Sequence, residues 1–548
     1  MSYKEISARK KAERDAKFNP EWLVPEDKLP GPEIKDVHLW PVSSGYLSAS
    51  EIEITSTNPL VILSNIASKK WTAVEVYRAF AHRATIAHQL TNCLTEVFFD
   101  EGLKTAQELD EYYATTGKLK GPLHGLPVSL KDNQPVKGIA TSMGYTSLAD
   151  SIPTSDGLIV STIRDMGAVF YVKTNLPTAM MMLESQNFLW GTTMNPFNRD
   201  LTCGGSSGGE GCLVAMRGSA MGLGGDLGGS LRCPGGFQNL YTIKTTSGRW
   251  PIWGGRSILS GCESVPSVNG PIATCVELLE LYGREIAKLD LEYKDPKMLG
   301  IKWDEQAEVK EKLCFAVCYD DGVVHPTPPV QRGIKTVVEK LKAAGHEVIE
   351  WDPTGLHEPM QKLVREFYSS GGTTKIVDLA NETGEPIENP FMKIVCETPE
   401  ISTKELWVKQ TERILLHEKF LKQWLETSKK TSTGGKVDGI ISPLAPLPAA
   451  AHGTMAYIGY TSVWNGLDWP TATVPVTRAD KDLDVVETAY TPRANEFDEQ
   501  VYKGYDPELY HGGPVAIQIT GPKMRDEKVL KMVKVISKAV GTDNYWFE

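Results

Sequence analysis

The arrangement that most constrains the fold of this chain is a strand, a helix and a second strand in direct succession within residues 313–351. Residues 313–319 and 346–351 are short runs with β-branched and aromatic side chains, which predict two buried strands. Between them, residues 330–344 place apolar side chains at helical spacing. Two strands joined by a helical crossover pair in parallel within one sheet. The chain is therefore predicted to have a mixed α/β fold.

The rest of the chain carries the signals of further elements around this unit. Helices are predicted within 48–99, most clearly in WTAVEVYRAFAHRATIAHQL, and at 405–425 and 526–540, and strands at 167–173, 439–442 and 515–519. Residues 175–253 are dense in Gly and Ser and predict a loop-rich region. Residues 1–45 are polar with several prolines, which predicts an N-terminal arm on a single domain spanning 46–548.

Charge and cysteine usage argue against several classes of protein. The net charge is −11 and no stripe of Lys and Arg stands out, so we expect no nucleic-acid partner. Residues 1–20 are polar and no later segment approaches the roughly 18 apolar residues of a membrane span, so we expect a soluble chain without a transmembrane segment. Nine cysteines without a C-x-x-C pair fit reduced thiols in a cytoplasmic protein. His417 and Glu418 lack the second His of a zinc helix, and we expect no metal or organic cofactor.

Three glycine-rich stretches are the candidates for chemistry: GPLHGLPVSLKDN (121–133), CGGSSGGEG (203–211) and GLGGDLGGSLRCP (222–234). A phosphate-binding loop is excluded because the second stretch continues with Glu210, where Lys followed by Ser or Thr is required. A dinucleotide fingerprint is excluded because Leu227 stands at the position of its last glycine. Acidic side chains in both loops would also repel phosphate.

The second stretch contains a serine motif with a different interpretation. Residues 205–209 fit G-x-S-x-G, the nucleophile elbow of α/β-hydrolases, with Ser207 as nucleophile and His452 or His511 as its base. That motif requires a strand directly before the serine, whereas the preceding NPFNRDLTCGG is polar and turn-like. We rank this esterase-like alternative below the assignment that follows.

The same stretches resemble the amidase signature family. The resemblance rests on GLPVSLKDN, GGSSGGEG and GLGGDLGGSLRCP, and continues through KTTSGRW and GPIATCVELL. More specifically, LTNCLTEVFFD, AVFYVKT and YDPELYHGGPVAIQITG are similar to fungal acetamidases (general amidases) and to the related fatty-acid amide hydrolases. The similarity covers nearly the whole chain. It implies a central mixed β-sheet flanked by α-helices on both faces, a site above the edge of the sheet, and an amidase that acts on linear amides.

The resemblance also implies a set of site residues, carried over position by position. These are, as catalytic residues, Lys131, Ser206 and Ser230; as oxyanion and substrate-binding residues, Leu227, Gly228, Gly229 and Met180; and as supporting residues, Ser207, Asp226 and Arg232. The oxyanion hole would consist of backbone N–H groups, with that of Ser230 included. A cis peptide bond is implied before Ser206, and Asp226 and Arg232 are expected to form an ion pair.

The chemistry of these residue types suits such a site. A serine hydroxyl needs a neighbouring base, and a lysine becomes one only if its pKa falls from about 10.4 toward about 7–8. The apolar LPVSL before Lys131 is consistent with burial that lowers this pKa, while Asp132 beside it is expected to oppose the shift. Ser206 would pass the proton of Ser230 to Lys131 and later return one to the leaving nitrogen.

Three departures from the family pattern surround the nucleophile. Gly225 stands where the family usually has Thr, Gly235 and Gly236 stand where it has Ala, and Thr245 stands where it has Pro. Glycine has more conformational freedom to lose than any other residue. We expect these glycines to loosen the backbone of the oxyanion hole and to shift the substrate range or lower the rate.

Several expectations concern substrate and assembly. Short aliphatic amides such as acetamide lead, followed by aryl amides, indole-3-acetamide and longer acyl amides, each cleaved to an acid plus ammonia or an amine. Residues around Met180, Trp464 and Trp469 are expected to line the acyl pocket. A homodimer is implied by the resemblance alone. Besides the esterase-like alternative, a catalytically silent binding protein of the same fold remains open.

Overall fold

The strands of this protein, taken from a computed structural model that describes residues 1–543, belong to one large sheet and two small ribbons. Numbered along the chain, the strands are β1 (Leu94–Val97), β2 (Pro127–Lys131), β3 (Val169–Thr174), β4 (Gln186–Asn187), β5 (Gly191–Thr192), β6 (Met194–Asn195), β7 (Asn198–Thr202), β8 (Met221–Asp226), β9 (Tyr241–Lys244), β10 (Val268–Ala273), β11 (Cys314–Val317), β12 (Glu347–Glu350), β13 (Gly439–Pro443), β14 (Thr471–Arg478) and β15 (Pro514–Thr520). Residues 544–548 of the predicted domain lie outside the described residues.

The helices cover both the ends of the chain and the segments between strands. They are α1 (Tyr3–Asp15), α2 (Trp40–Ser43), α3 (Ala49–Ser56), α4 (Pro59–Ala67), α5 (Ala73–Thr91), α6 (Phe99–Thr116), α7 (Leu158–Asp165), α8 (Gly208–Ala215), α9 (Arg232–Phe237), α10 (Val276–Ile286), α11 (Pro328–Ala343), α12 (His357–Ser369), α13 (Thr374–Asn381), α14 (Pro390–Glu397), α15 (Thr403–Glu426), α16 (Gly459–Gly466), α17 (Glu496–Gly504), α18 (Pro507–Tyr510) and α19 (Asp526–Val540).

The large sheet has eleven strands in the order β1-β3-β2-β8-β10-β9-β14-β15-β13-β11-β12. It is mixed: β2 is parallel to β3 and β8, β11 is parallel to β12 and β13, and the other neighbours are antiparallel. The predicted strand–helix–strand unit is confirmed, because β11 and β12 pair in parallel with Phe315 opposite Val348 and α11 lies between them in sequence.

Both faces of the sheet are covered. Every residue of β3, β8 and β10 is buried, and because successive side chains of a strand point to opposite faces, complete burial requires cover on both sides. Helices α6 and α8 pack on the first half of the sheet, and α11 and α19 on the second. The predicted α/β fold with a mixed sheet flanked by helices is therefore confirmed.

Helix boundaries follow local capping chemistry. Helix α5 begins after Thr72, whose hydroxyl accepts the N–H of Glu75 at 3.1 Å while the Glu75 carboxylate accepts the N–H of Thr72 at 2.7 Å. This reciprocal arrangement satisfies two donors that a helix start would otherwise leave free. The helix ends at Asn92, which takes a left-handed conformation with φ of +55°. The amphipathic pattern predicted this helix, but the helical spacing of 48–99 also hides β1.

The prediction that residues 175–253 are loop-rich is wrong for its second half, which contains α8, β8, α9 and β9. Strand β8 reads MGLGGD and lacks the β-branched side chains that signal a strand. Its glycines serve close packing: a Cβ on Gly222 would overlap the Glu210 carboxylate, and one on Gly224 would lie 2.7 Å from Ser207 Oγ. Helix α8 and the loop before it therefore rest directly on the backbone of β8.

The N-terminal residues contact the rest of the chain through buried polar groups. Ser7 Oγ donates to the carbonyl of Leu189 over 2.8 Å, and Lys10 Nζ lies 3.1 Å from the Glu96 carboxylate. The division into an arm at 1–45 and one domain beyond it stays a prediction. All nine cysteines are free thiols. Within residues 1–543, no helix is both long enough and apolar enough to cross a bilayer.

Candidate active site

All three predicted catalytic residues line one cavity of about 680 Å³. Lys131 is the last residue of β2, Ser206 precedes α8, and Ser230 lies in the turn between β8 and α9. Their exposed fractions are 2%, 2% and 7%. Since β2 and β8 are the third and fourth of the eleven strands and run parallel, the cavity lies at the carboxyl ends of two neighbouring interior strands.

The two loops that carry the serines are tied to the lysine and to each other. Lys131 Nζ donates a hydrogen bond of 2.7 Å to Ser206 Oγ. The peptide bond between Gly205 and Ser206 is cis. The N–H of Ser207 donates to the carbonyl of Ser230 over 3.2 Å. A lysine amine, a serine hydroxyl and a second serine segment are thus held in one small volume.

Burial sets the protonation state of the lysine. It lowers the pKa of Lys131 to about 7, against the opposing negative charges of Asp226 and Glu210. The expectation that Asp132 opposes this shift does not match the geometry, because the Asp132 carboxylate faces the other way. It accepts the N–H groups of Ser142 at 2.9 Å and Met143 at 2.8 Å, and lies 3.4 Å from Lys173 Nζ.

A second buried acid, Glu210 on α8, was not predicted as a site residue from the sequence. Its two carboxylate oxygens accept the hydroxyls of Ser129 and Thr174, each at 2.5 Å. Burial raises the pKa of Glu210 to about 8, although these hydroxyls and the charge of Lys131 work in the opposite direction. At neutral pH this carboxyl is therefore mostly uncharged, which leaves burial as the dominant influence on the pKa of Lys131.

The turn from Leu227 to Ser230 exposes three free N–H groups. Within the part of the chain that the structure describes, the N–H groups of Leu227, Gly228 and Ser230 have no protein acceptor. Gly229 departs from the prediction, because its N–H donates to Asp226 Oδ1 over 2.9 Å. Its φ of +135° lies in the region that favours glycine. Three of the four predicted oxyanion donors remain available, and the fourth holds the turn closed.

The predicted ion pair of Asp226 and Arg232 is present and fully buried. Arg232 Nε lies 3.1 Å from Asp226 Oδ2, and both side chains have an exposed fraction of 0%. The same carboxylate also accepts the N–H of Leu231 at 3.1 Å. Burial alone would raise the pKa of Asp226, but the charge and hydrogen bonds of Arg232 lower it to about 2. Asn465 and Gln518, which the motifs did not indicate, bind the other nitrogens of Arg232.

The esterase-like alternative finds no support in the geometry of Ser207. Its hydroxyl exchanges hydrogen bonds of 3.3 Å with the N–H and the carbonyl of Gly225, and it does not line the cavity. His452 binds the carbonyl of Arg199, and His511 accepts the N–H of Lys481. In the described part of the chain, no histidine lines the cavity.

Comparisons with known proteins identify the family of the chain. A family model described as Amidase matches residues 75–530. The chain is 38% identical to an acetamidase of Aspergillus oryzae, with 98% of this chain and 99% of the relative covered, and 38% identical to an acetamidase of Emericella nidulans, with 99% of each covered. The chain belongs to the amidase signature family. It is accordingly an amide-hydrolysing enzyme.

Solved structures extend the comparison to the fold. A structure of a fatty acid amide hydrolase matches with a TM-score of 0.92 and 33% identity, covering 98% of this chain and 95% of that one. A bacterial aryl acylamidase of the amidase signature family matches with a TM-score of 0.71 and 20% identity, covering 89% of this chain and 97% of that one. The second likeness is one of fold alone.

The remaining predicted binding residues divide into two groups. Met180 is half-buried with φ of +60°, and it lines both the main cavity and a smaller one of about 30 Å³ that also contacts Leu227 and Ser230. Trp464 and Trp469, expected near the acyl pocket, have exposed fractions of 0% and pack against each other in the core. The loop 252–263 forms one wall of the main cavity and carries no motif that would have revealed it.

The departures from the usual amidase pattern have separate physical settings. Gly225 lines the cavity, and a Cβ there would lie 3.2 Å from Asn269 Oδ1. Gly235 and Gly236 lie inside α9, where a Cβ on Gly236 would overlap Leu444 and one on Gly235 would lie 2.7 Å from Thr242 Cγ2. Neighbouring side chains therefore occupy the volume of the absent methyl groups, while the expectation of a looser oxyanion hole stays a prediction.

The described residues offer few side chains of the types that bind metal ions in one place. Among residues 1–543 there is no group of three or more His, Cys, Asp or Glu side chains that could hold a metal ion. At the carboxyl ends of β2 and β8, the cavity offers the Lys131 amine, the hydroxyls of Ser206 and Ser230 and backbone N–H donors. This donor set suits acyl transfer to a serine.

Proposed function

We propose that this amidase cleaves the C–N bond of carboxylic amides through an acyl-enzyme on Ser230, with Ser206 as proton relay and Lys131 as base. The observation that carries the proposal is the 2.7 Å hydrogen bond between Lys131 Nζ and Ser206 Oγ at the cavity that Ser230 also lines. A buried lysine with a pKa of about 7 is half neutral at physiological pH and is able to accept a proton there.

The first half-reaction forms the ester. Neutral Lys131 takes the hydroxyl proton of Ser206, Ser206 takes that of Ser230, and Ser230 Oγ bonds to the amide carbon. The carbonyl oxygen becomes an oxyanion that the free N–H groups of Leu227, Gly228 and Ser230 stabilise. As the C–N bond breaks, Ser206 gives its proton to the leaving nitrogen and regains one from Lys131.

Water completes the cycle. It attacks the ester carbon while the same relay accepts its proton, and the carboxylic acid leaves as the hydrogen returns to Ser230. Every proton is conserved within Lys131, Ser206, Ser230 and the substrates. The relay is histidine-free, in agreement with the absence of histidine from the cavity wall among the described residues.

We propose short aliphatic amides such as acetamide as leading substrates, followed by aryl amides, indole-3-acetamide and longer acyl amides. The acetamidases at 38% identity support the first group. The volume of about 680 Å³ supports the larger amides as well, since it falls within the range of pockets that hold drug-sized molecules. A cytoplasmic location and a homodimer stay predictions.

A panel of amides with detection of released ammonia tests the proposal. We expect hydrolysis by the wild type, loss of at least about 10³-fold in kcat for Ser230→Ala and Lys131→Ala, and labelling by a fluorophosphonate that Ser230→Ala abolishes. Ser207→Ala serves as the matched control and should keep the label. If Ser207→Ala alone removed the label, the esterase-like assignment would replace ours. If wild type hydrolysed no amide or ester and took no label, a silent binding protein would be the better description.

A further inference from the structure

Four consecutive carbonyls around the nucleophile each receive a hydrogen bond. Tyr368 OH donates to the carbonyl of Leu227 over 2.9 Å, and Thr461 Oγ1 donates to that of Gly228 over 2.6 Å. The carbonyl of Gly229 accepts the N–H of Cys233 at 2.7 Å, and that of Ser230 accepts the N–H of Ser207 at 3.2 Å. Two of these four donors are backbone groups, of Cys233 in α9 and of Ser207 just before α8, whereas Tyr368 and Thr461 donate through side chains of distant helices.

A held carbonyl fixes the direction of the next N–H. The peptide bonds of this turn are trans, and in a planar trans peptide the C=O and the N–H point in opposite directions. The bond from Tyr368 therefore turns the N–H of Gly228 away from α12, where it has no acceptor in the described part of the chain. The bond from Thr461 turns the N–H of Gly229 toward Asp226, which accepts it.

This turn needs such restraint because it contains Gly228 and Gly229 in succession. Glycine populates conformations that other residues avoid, so a peptide between glycines rotates at little cost. Larger residues would not fit: a Cβ on Gly228 would overlap Tyr368 OH, and one on Gly229 would overlap Thr461 Oγ1. The glycines thus make room for the two hydroxyls, and the hydroxyls in turn remove the freedom that the glycines bring.

Both hydroxyls are firmly held themselves. Tyr368 on α12 is 3% exposed, and burial raises the pKa of its phenol, so that it remains a donor throughout the working range of pH. Thr461 on α16 is 1% exposed, and its own carbonyl accepts from Arg232 Nη1 over 3.0 Å. Helices α12 and α16 pack against each other. The two donors therefore belong to one rigid support.

We infer that Tyr368 and Thr461 are positioning residues for the oxyanion hole. Tyr368 orients the free N–H of Gly228 by holding the carbonyl of Leu227. Thr461 holds the carbonyl of Gly228, which keeps the N–H of Gly229 on Asp226 and so keeps the turn closed around the free donors. Neither residue lines the main cavity, and Tyr368 contributes to the wall of the smaller one. The inference rests on the proposed mechanism, because it assigns the free N–H groups to the oxyanion formed on Ser230. Such donors stabilise the transition state only when they point at the oxyanion before it forms.

The test compares Tyr368→Phe with Tyr77→Phe, a matched control. Tyr77 OH donates to the carbonyl of Phe99 over 2.6 Å and is 1% exposed, so its variant also loses one buried hydroxyl-to-carbonyl bond, in a different region. We expect Tyr368→Phe to lower kcat about tenfold with KM nearly unchanged, since a bond that orients one donor is lost while the donor itself remains. Tyr77→Phe should leave both constants unchanged.

Two inhibitors separate orientation of the oxyanion hole from general damage. A trifluoromethyl ketone becomes an oxyanion when Ser230 adds to it, whereas the matching alcohol binds without doing so. Tyr368→Phe should weaken the ketone about tenfold and leave the alcohol unaffected. An equal loss for both, or no loss for either, would overturn the inference.

Thr461 provides a second, independent variant. Thr461→Val removes the hydroxyl and should reproduce the selective loss of the ketone, while Thr461→Ser keeps the hydroxyl and should restore wild-type behaviour. Rates are normalised to the fraction of enzyme that a fluorophosphonate labels, so that misfolded protein does not count. Ketone inhibition or amide hydrolysis that survived Ser230→Ala would refute the proposed mechanism. A Ser230-dependent enzyme whose Tyr368 and Thr461 variants matched the control would refute this inference alone.

Discussion

The amine of Lys131 lies 2.7 Å from the hydroxyl of Ser206 in a part of the protein where the lysine is 2% exposed. A charged lysine at this depth lacks the hydration that it would have at the surface, and the two nearby acids compensate only in part. The hydrogen bond and the burial therefore act together. The hydrogen bond fixes the route of proton transfer, and burial fixes the pH above which Lys131 is neutral and accepts the proton.

The first prediction is the pH dependence that follows. Because the base must be neutral, kcat/KM should fall about tenfold per pH unit below a midpoint near the Lys131 pKa of about 7 and level off above it. Lys131→Arg, which stays protonated, should be inactive across the range. A midpoint near pH 10, or a flat profile, would contradict the role of Lys131. Stopped assays of ammonia release in overlapping buffers provide the measurement.

The second prediction concerns Glu210. Because burial raises its pKa to about 8, this carboxyl is mostly uncharged near pH 7, where the limb set by Lys131 falls. Glu210→Gln keeps the shape and the uncharged state, so the limb of the pH profile should stay close to that of the wild type. Glu347→Gln, at an acid near the surface on β12, serves as the control and should also leave the profile in place. A marked shift of the limb to lower pH in Glu210→Gln alone would mean that Glu210 is charged where Lys131 titrates.

The third prediction is a loss of stability. Asp226→Asn leaves the buried Arg232 without its counter-charge, and breaking a buried pair by removal of one partner costs about 3–5 kcal/mol. Asp150→Asn breaks the exposed pair with Arg9 and should cost about 1 kcal/mol or less. Unfolding in denaturant, followed by fluorescence, measures both. Equal midpoints for the two variants would show that the ion pair does not stabilise the fold.

The fourth prediction tests the glycines of α9. A methyl group at Gly236 would overlap Leu444 Cδ2, so Gly236→Ala should destabilise the protein by about 1–3 kcal/mol, as overpacked cores do. Leu444→Ala removes the obstructing atoms, and the double variant should lose less stability than the sum of the two single changes. Additive losses would mean that Leu444 does not occupy the space of the missing methyl group.

Sequence patterns predicted the regular part of this fold better than its centre. The apolar spacing of 526–540 predicted α19 with the bounds that the structure has, because one face of that helix packs on the sheet. Strand β8 was missed although it is an interior strand of the large sheet, because its glycines allow close packing against Glu210 and Ser207. A strand whose glycines allow close packing lacks the β-branched and aromatic side chains by which a strand is predicted.

The candidate site shows the same limit. Its lysine and serines lie in long sequence motifs. Because three separate motifs fit one mechanism, these residues were predicted from the sequence. Tyr368, Thr461 and Asn465 stand in ordinary helices, where they bind backbone carbonyls or a buried charge more than a hundred residues away. Such a role depends on tertiary approach, so neither composition nor spacing could indicate it.

Arg232 contacts a residue far away in the sequence, and this affects when the enzyme becomes active during its synthesis. This arginine, two residues after Ser230, binds Gln518 on β15, 286 positions further along the chain. Chains are made from the N-terminus, and contacts between distant segments form only after both have emerged from the ribosome. A nascent chain that already displays all three reactive side chains would still lack β15 and its hold on the nucleophile turn. Hydrolysis should therefore begin only after β15 has emerged from the ribosome.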